Sequence, residues 1–230
     1  GSIGMGVKSD CHMGSFVAGG LVHVPRGWCA CSPTWNGTFA FASRSGMAVH
    51  APAADEQLVK GPATPDARPA DEKDWPTYRR DNDHSAGTPV PVAPNARLLW
   101  HRKPAHPYDY VETYNGHAMR RQDQPTEPVA AAGMIFCGGS DGRVQALDAK
   151  TGSVLWTAWT SGRIYAPPTF WNGRVLVGSC DGHVYCLDAA TGEPAWRFRA
   201  APLERRIMAA GHLGSNWPVL TGVLVHEGLA

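Results

Sequence analysis

One sequence pattern occurs twice in this chain, and its spacing constrains the fold more than any other feature. Residues 146–156 read ALDAKTGSVLW, and residues 186–196 read CLDAATGEPAW. The two closing tryptophans lie 40 residues apart, and the same offset aligns the Asp-Gly pair at 141–142 with the pair at 181–182. A period of this length indicates a repeat architecture, in which one supersecondary unit packs against the next.

Each copy of the repeat is predicted to form four short antiparallel strands separated by turns. In the first copy, the apolar runs lie around residue 129 and at residues 134–137, 144–147 and 154–156. An Asp-Gly pair between two alternating runs predicts a two-residue type I′ hairpin turn, because glycine accepts positive φ without steric cost. Counting outward from Asp181-Gly182 on this basis pairs Val177 with Cys186, so Cys180 and Cys186 are not opposite each other.

A four-stranded sheet cannot cover both of its faces alone, so successive sheets are expected to stack. A large flat indole that recurs once per sheet suits a wedge between neighbours. Four strands in a repeat of this length are typical of a β-propeller blade rather than a helical solenoid, which would show 3.6-residue periodicity. The sequence therefore predicts an all-β fold, an incomplete β-propeller of four-stranded antiparallel blades.

The repeated pattern Ala-x-Asp-x-x-Thr-Gly-x-x-x-Trp resembles the tryptophan-docking repeat of quinoprotein β-propellers, named after pyrroloquinoline quinone (PQQ). It is complete in the first copy, whereas Cys186 replaces the alanine in the second. The motif residues are Asp148, Thr151, Gly152 and Trp156, then Asp188, Thr191, Gly192 and Trp196. Because PQQ-dependent alcohol dehydrogenases and non-catalytic outer-membrane assembly lipoproteins share this repeat, the resemblance implies a fold more firmly than a reaction.

The resemblance extends over most of residues 74–230. Residues 74–81 (DWPTYRRD) followed by 98–100 (LLW) resemble the opening of large PQQ-like propeller proteins of environmental bacteria, as do residues 205–207 and 215–219. We expect three parts: residues 1–47 as the closing blade of an upstream propeller, 48–73 as an Ala/Pro-rich linker, and 74–230 as N-terminal blades. The third unit is expected to be truncated, with Gly228 at the position of Gly133 and Gly173, so the sequence indicates a fragment of a longer protein.

Charge and composition exclude some classes of partner. The chain has 230 residues, a formal net charge of +1 and 43% hydrophobic residues. This charge gives no reason to expect nucleic acid. No apolar run approaches the ~20 residues that a membrane-spanning helix needs. The first residues are not a signal peptide, and the family resemblance implies a periplasmic or extracellular parent.

The N-terminal cysteines allow two interpretations. Cys11, Cys29 and Cys31 lie near His12 and His23, which suggests a zinc site. However, Cys-x-Cys is shorter than the usual ligand spacing of zinc sites. A disulfide from Cys11 to Cys29 or Cys31 in an exported protein is favoured, and we assign no metal site. The connectivity stays open.

Other polar residues are candidate site residues. Asp148 and Asp188 suit a catalytic base or a calcium ligand, but their repetition beside Thr-Gly favours a role in the turn. Arg163, Arg205 and Arg206 suit an anion-facing rim, against the alternative of solvated or ion-paired loop residues. Residues 101–124 form an insertion before the first complete repeat, where His117 and Arg120 suit a ligand-facing loop or simply an exposed surface.

Two main functions compete. The favoured one is a non-catalytic PQQ-like scaffold in an exported multidomain protein, with an unknown protein or small molecule as ligand and further blades of the same parent as partners. The alternative is a fragment of a dehydrogenase that oxidises an alcohol or sugar with PQQ and calcium in the full-length parent. A third reading is an accessory domain of a larger secreted enzyme. We assign no catalytic residue and no cofactor to this chain, because a motif common to both classes cannot separate them.

Overall fold

The computed structural model describes residues 16–19, 21–24, 39–42, 57–91, 94–102, 109–114, 117–122, 125–209 and 212–230. The chain divides into two compact units, and the following concerns their described residues. One unit comprises Gly1–Ala51, Asp109–Arg121 and Ile207–Leu213; the other comprises Pro52–Tyr108, Gln122–Arg206 and Gly214–Ala230. The predicted disulfide cannot be located, because Cys11, Cys29 and Cys31 lie outside the described residues.

The regular elements of the described residues are β-strands, which confirms the predicted all-β class. In chain order they are β1 (Phe16–Ala18), β2 (Leu21–Val24), β3 (Phe39–Ala42), β4 (Leu58–Lys60), β5 (Asp109–Tyr114), β6 (His117–Gln122), β7 (Val129–Ala131), β8 (Met134–Gly138), β9 (Arg143–Asp148), β10 (Val154–Trp159), β11 (Thr169–Trp171), β12 (Arg174–Gly178), β13 (His183–Asp188), β14 (Pro194–Arg199), β15 (Arg206–Ala209) and β16 (His212–Ser215). Where the structure describes the chain, no helix has the length and apolar character to cross a membrane.

Three smaller sheets are also present among the described residues, and the first of them is antiparallel. Strands β1, β2 and β3 form a sheet in chain order, with Val17 opposite Val22 and Val22 opposite Phe41. Strands β5 and β6 form a two-stranded sheet, as do β15 and β16.

The two repeats form two larger antiparallel sheets, as predicted. The first has the order β10-β9-β8-β7, and the second has the order β11-β12-β13-β14-β4. The fifth strand, β4, comes from residues 58–60 and pairs with β14. The division of the chain into 1–47, 48–73 and 74–230 stays a prediction, but the expected linker contains this edge strand.

The main core lies between these two sheets. It combines Val129, Phe136 and Val144 of the first sheet with Phe170 and Val177 of the second. The rings of Phe136 and Phe170 stack with centroids 5.9 Å apart, and each residue is at most 3% exposed. Alternating apolar positions on strands β8, β9, β12 and β13 bury this shared face, because successive strand residues point to opposite faces. The sheets are therefore consecutive blades of a partial β-propeller.

The Asp-Gly turns differ from the predicted type I′ geometry. The N–H of Gly182 donates to the carbonyl of Ser179 at 3.0 Å, and only Gly182 of the Asp-Gly pair has a positive φ, +89°. The N–H of Ser179 also donates to the carbonyl of His183 at 3.0 Å, which closes a three-residue loop with a glycine bulge. This loop moves the register by one residue, so Cys186 lies opposite Leu176 and not Val177.

Type I′ turns occur instead at the first hairpin of each sequence repeat. Ala132-Gly133 and Asn172-Gly173 both have positive φ at each central residue, between paired strands. Glu227-Gly228 repeats this geometry between the bridged residues His226 and Leu229. Gly228 thus takes the same conformation, at φ +79°, as Gly133 and Gly173 at +77°.

Candidate functional site

Two indole side chains each bind a turn of the sheet that follows them along the chain. Trp156 Nε1 donates to the carbonyl of Ala189 at 2.9 Å, and its ring lies against Gly192. Trp100 Nε1 donates to the carbonyl of Ala149 at 3.1 Å, and its ring lies against Gly152 in the same way. Trp196 is half-buried beside the cluster of Leu176, Cys186, Ala195 and Val223.

The repeated aspartates close the turns on which these indoles rest. Asp148 Oδ1 accepts hydrogen bonds from the Lys150 N–H at 3.0 Å, the Thr151 N–H at 2.7 Å and the Thr151 hydroxyl at 2.9 Å. Asp188 Oδ1 accepts the equivalent three bonds from Ala190 and Thr191. The bonds from Thr151 hold the pKa of Asp148 below its ordinary value. Both carboxylates are therefore engaged by their own turns.

A cleft of about 640 Å³ lies beside the first strand of the second sheet. Its walls come from three separate stretches of the chain: residues 69–83, strand β11 with Asn172, and Val225 with His226. It is lined by Pro69, Ala70, Pro76, Thr77, Arg80, Asp81, Asn82, Asp83, Thr169, Phe170, Trp171, Asn172, Val225 and His226. Apolar rings next to a few polar groups are typical of ligand-binding clefts.

The first wall is held by backbone pairing to both sheets. Trp75 exchanges two backbone hydrogen bonds with Ala130 of β7, at 2.7 and 2.8 Å. The next carbonyl, that of Pro76, accepts from the N–H of Phe170 in β11 at 2.7 Å. The segment therefore runs along the first strands of both blades, and proline suits it because Pro76 needs to supply only a carbonyl.

The opposite wall is held by side chains. Asn82 Nδ2 donates to the carbonyl of Val225 at 2.9 Å, across the cleft rim. The Thr169 hydroxyl donates to the carbonyl of Val223 at 2.6 Å and lies 3.2 Å from the Thr77 hydroxyl. These bonds connect residues more than fifty positions apart in sequence, so the cleft exists only in the folded chain.

The rim of the cleft carries charges of both signs. Arg80 Nη2 donates to the carbonyl of Glu72 at 3.2 Å. Asp81 accepts from both the N–H and the hydroxyl of Ser85, and these bonds hold its pKa below the ordinary value. A fixed carboxylate next to a guanidinium can bind a ligand with both donor and acceptor groups, and the rings of Phe170 and Trp171 can contact its apolar part.

A second polar cluster is buried between the sheets and is not repeated. Asp181 Oδ2 accepts from the Tyr185 hydroxyl at 2.5 Å and from the Ser161 N–H at 3.1 Å, while Nδ1 of His183 lies 3.3 Å from Oδ1. Asp181, His183 and Tyr185 are each at most 8% exposed. The first copy has Asp141, Arg143 and Gln145 at the equivalent positions. Hydrogen bonds in this low-dielectric site connect the second sheet to Ser161 of the loop between β10 and β11.

Acidification should weaken the fold through Asp181. Burial alone would raise the pKa of this carboxyl, but hydrogen bonds from His183 and Tyr185 outweigh burial and leave the pKa below 3.8. A lowered folded-state pKa gives stability above the unfolded pKa, and this stability is lost as the pH falls through the folded value. We expect the free energy of unfolding of the native chain to exceed that of Asp181→Asn at neutral pH, and the difference to narrow as the pH falls below about 4.

Urea unfolding of both proteins at a series of pH values measures this difference. Tyr185→Phe removes one hydrogen-bond donor to the Asp181 carboxylate. It should reduce the pH-dependent part of the free energy of unfolding without abolishing it. A difference between the native chain and Asp181→Asn that stays constant from neutral pH to pH 3 would contradict the assignment to Asp181.

The sequence-predicted arginines lie away from the cleft lining. Arg163 Nη1 donates to the Tyr165 hydroxyl at 3.1 Å. Arg205 and Arg206 are exposed, and Arg206 lies 3.8 Å from Glu204. His117 and Arg120 fall on β6, but their side chains lie outside the described residues. Arg163, Arg205 and Arg206 do not line this cleft, and their role as an anion-facing rim, like that of His117 and Arg120 on a ligand-facing loop, stays a prediction.

Sequence reasoning missed the cleft residues Arg80, Asn82, Trp171 and His226. The first two lie in or next to the DWPTYRRD stretch, whose resemblance to other propeller proteins was the one available signal.

The described cysteines Cys137, Cys180 and Cys186 are free thiols, and burial raises the pKa of Cys186 to about 12. None of these three cysteines lines the cleft.

Comparison with known proteins gives a family and several partial structural matches. A search of curated proteins finds no match. The quinohemoprotein alcohol dehydrogenase from Comamonas testosteroni is 24% identical with a TM-score of 0.41, covering 56% of this chain and 19% of that one. BamB from Moraxella catarrhalis is 24% identical with a TM-score of 0.32, covering 39% and 29%. A europium-containing methanol dehydrogenase is 32% identical with a TM-score of 0.30, covering 31% and 14%.

The matched part of this chain spans less than a third of each of these three proteins. The family model PQQ_2, described as "Outer membrane protein assembly factor BamB", matches residues 92–220, which is more than half of the chain. This match contains both copies of the repeated motif and both larger sheets apart from β4. By this match, the chain belongs to the PQQ_2 family of β-propeller proteins.

Proposed function

We propose that this chain is part of a non-catalytic β-propeller scaffold, which binds another protein or a small ligand through the cleft lined by Trp171 and Arg80. The observation that carries the proposal is the construction of the cleft. Three separate stretches of chain form it, and it combines aromatic, amide and charged groups at an accessible surface. By contrast, the repeated polar residues Asp148 and Asp188 are engaged by their own turns.

The family supports this proposal and a location for it. The description of the matching family as an outer membrane protein assembly factor agrees with an interaction scaffold in the periplasm or outside the cell. The tryptophan-docking interpretation agrees with the bonds from Trp100 and Trp156 to the next sheet. In this interpretation the repeats supply rigidity, and the unrepeated segments supply recognition.

The alternative function requires PQQ and calcium, so we tested whether the residues present fit these groups. Calcium takes six to eight oxygen ligands, with carboxylates prominent among them. Within the part of the chain that the structure describes, no three His, Cys, Asp or Glu side chains come together to hold a metal. The cleft lining offers two carboxylates, Asp81 and Asp83. The described residues therefore do not fit a calcium-assisted quinone site, and we derive no catalytic step from them.

Site-specific photocrosslinking in the parent protein tests the scaffold function. A photoreactive amino acid at Asp83, which lines the cleft, should give a discrete adduct with a partner in the native compartment. The same amino acid at Lys150, an exposed turn residue away from the cleft, is the matched control and should give none. Identical adducts at both positions, or no adduct at Asp83, would count against the cleft as the recognition site.

A cofactor titration tests the alternative. The parent protein is titrated with PQQ and calcium, while tryptophan fluorescence and dye reduction with primary alcohols and aldoses are recorded. For the scaffold we expect no saturable quenching up to ~100 μM, a concentration well above typical cofactor affinities. Saturable quenching together with substrate-dependent dye reduction would establish a dehydrogenase and overturn the non-catalytic proposal.

A further inference from the structure

The outer edges of the two blades are equivalent by sequence but differ in what covers them. The 40-residue offset that relates Trp156 to Trp196 places β10 in the first sheet where β14 lies in the second. In the second sheet, β4 pairs antiparallel along the outer edge of β14. In the first sheet, β10 is the edge strand, and no described strand pairs with its outer side.

The covered edge shows which backbone groups pair. The N–H of Arg199 donates to the carbonyl of Gln57 at 2.7 Å, and the carbonyl of Ala195 accepts from the N–H of Gly61 at 2.8 Å. Arg197 lies opposite Val59 between these bonds. In an antiparallel ladder the N–H and C=O of a residue point to the same side, so alternate residues of β14 face β4.

The same offset identifies the corresponding groups on β10. Leu155, Thr157 and Trp159 occupy the positions of Ala195, Arg197 and Arg199. Their N–H and C=O groups therefore point away from β9. The two strands also share a local irregularity, because the register shifts between Val154 and Trp156 in the first sheet and between Cys186 and Leu187 in the second. The edges of β10 and β14 thus share the same register shift as well as the same alternation of outward-facing N–H and C=O groups.

The β10 edge also lacks the features that protect natural edges from pairing. Its six residues include no charged residue and no proline, whereas β14 contains Pro194, Arg197 and Arg199. Natural sheets blunt exposed edges with charges, proline or a covering strand. Here the outward-facing residues Leu155 and Trp159 are 49% and 63% exposed. An apolar residue opposite Thr157 would lie diagonally between these two side chains and contact both.

We propose that the outer edge of β10 binds an extended segment of a partner protein as an added antiparallel strand. The occupant has the pattern that β4 shows on the equivalent edge, with an apolar residue, like Val59, at the position opposite Thr157. Backbone hydrogen bonds provide affinity, and the packing of this central residue against Leu155 and Trp159 provides specificity. The inference rests on the proposed scaffold function, for which it names a mode of partner binding.

A fluorescent peptide with the sequence of residues 56–62 is the probe, and its binding to the full chain is followed by fluorescence anisotropy. Methylation of the Val59 backbone nitrogen removes a donor that faces the paired strand, whereas methylation at Leu58 modifies a nitrogen that faces away. The Val59-methylated peptide should bind at least about tenfold more weakly, and the Leu58-methylated peptide within about twofold of the parent peptide. Equal binding of the two methylated peptides, or no binding of the parent peptide, would overturn the proposal.

A variant of the protein locates the binding edge. Thr157→Pro removes an N–H that faces outward and leaves the backbone hydrogen bonds between β10 and β9 in place, so it should weaken peptide binding at least about tenfold. The bond from Gln145 Nε2 to the Thr157 hydroxyl is lost in this variant and in the valine control alike. Thr157→Val keeps the N–H and serves as the control. Unchanged binding to Thr157→Pro would mean that the peptide displaces β4 from β14, and this result would overturn the proposal. If Thr157→Pro does not fold, the pair of methylated peptides still decides the question.

A second copy of the chain is the alternative occupant of the outer edge of β10. If two β10 edges pair with each other, sedimentation will show a dimer that Thr157→Pro converts to a monomer, and the partner-peptide proposal is then overturned. Failure of this inference can be distinguished from failure of the scaffold function. If Asp83 still gives a crosslink but the peptide does not bind, only the proposal of strand addition is wrong. If the cofactor titration shows cofactor-dependent turnover, the scaffold function itself is wrong.

Discussion

Replacing Trp156 with alanine is expected to lower the free energy of unfolding by about 3–5 kcal/mol, the usual cost of truncating a buried tryptophan. The indole is 8% exposed, packs against Phe136 with ring centroids 6.0 Å apart, and donates to the carbonyl of Ala189 at 2.9 Å. The substitution leaves a cavity between the two sheets and a buried carbonyl without its donor. Urea unfolding followed by circular dichroism measures the loss.

Trp159→Ala is the matched control on the same strand. This indole is 63% exposed, and its one described ring contact is with the guanidinium of Arg143, 5.8 Å from the ring centroid. An exposed cation–π contact contributes only about 0.5–1 kcal/mol, so the control should change stability by no more than that. Equal losses for the two variants would show that Trp156 does not connect the sheets in the way described.

Replacing Gly192 with alanine should be costly for two separable reasons. Gly192 has φ +77°, where a side chain is strained, and an added Cβ would lie 2.6 Å from atoms of the Trp156 ring. Backbone strain costs about 1–2 kcal/mol, and overpacking against a buried ring costs a further 1–3 kcal/mol, roughly. We expect a loss of about 2–5 kcal/mol in the free energy of unfolding, with a red shift of the tryptophan emission as Trp156 is pushed from its site.

Gly133→Ala separates the two contributions. Gly133 has the same φ of +77°, but no atom lies within 4 Å of the position of an added Cβ. This variant should lose only the backbone strain of about 1–2 kcal/mol and keep the native emission spectrum. If the two glycine variants were equally destabilised, the close approach of the Trp156 ring to Gly192 would contribute nothing.

The strands were predictable because their signals are local. Alternating apolar residues on β9 and β13 and the Asp-x-x-Thr-Gly turns that follow them lie within a few residues of each other. Each of the two larger sheets contains the predicted four antiparallel strands in chain order, and the second also contains β4. The turn type was the exception, because an Asp-Gly pair suits both a two-residue loop and the glycine bulge of a three-residue loop. The difference moved the register between β12 and β13 by one residue.

The cleft could not be predicted from the sequence. Its walls depend on pairs such as Asn82 with Val225 and Thr77 with Thr169, which lie far apart in the chain and carry no periodic signal. The edge strand β4 was missed for a related reason, since three residues in an Ala/Pro-rich stretch look like a linker until a partner strand is present. Arg163, Arg205 and Arg206 lie outside the lining of this cleft, so their role as an anion-facing rim stays a prediction.

The sequence by itself determined the repeat, the all-β class and the residues that build each blade, because turn chemistry and strand alternation act over a few neighbouring residues. The tertiary structure alone decided which indole rests on which turn, where Trp75 and Pro76 cross the first strands, and which outer edge is covered. These features depend on contacts between residues distant in sequence, whose free energy appears only when the sheets have stacked. The difference between the edges of β10 and β14 is of this kind, because a nearly repeated sequence leads to one covered edge and one open edge.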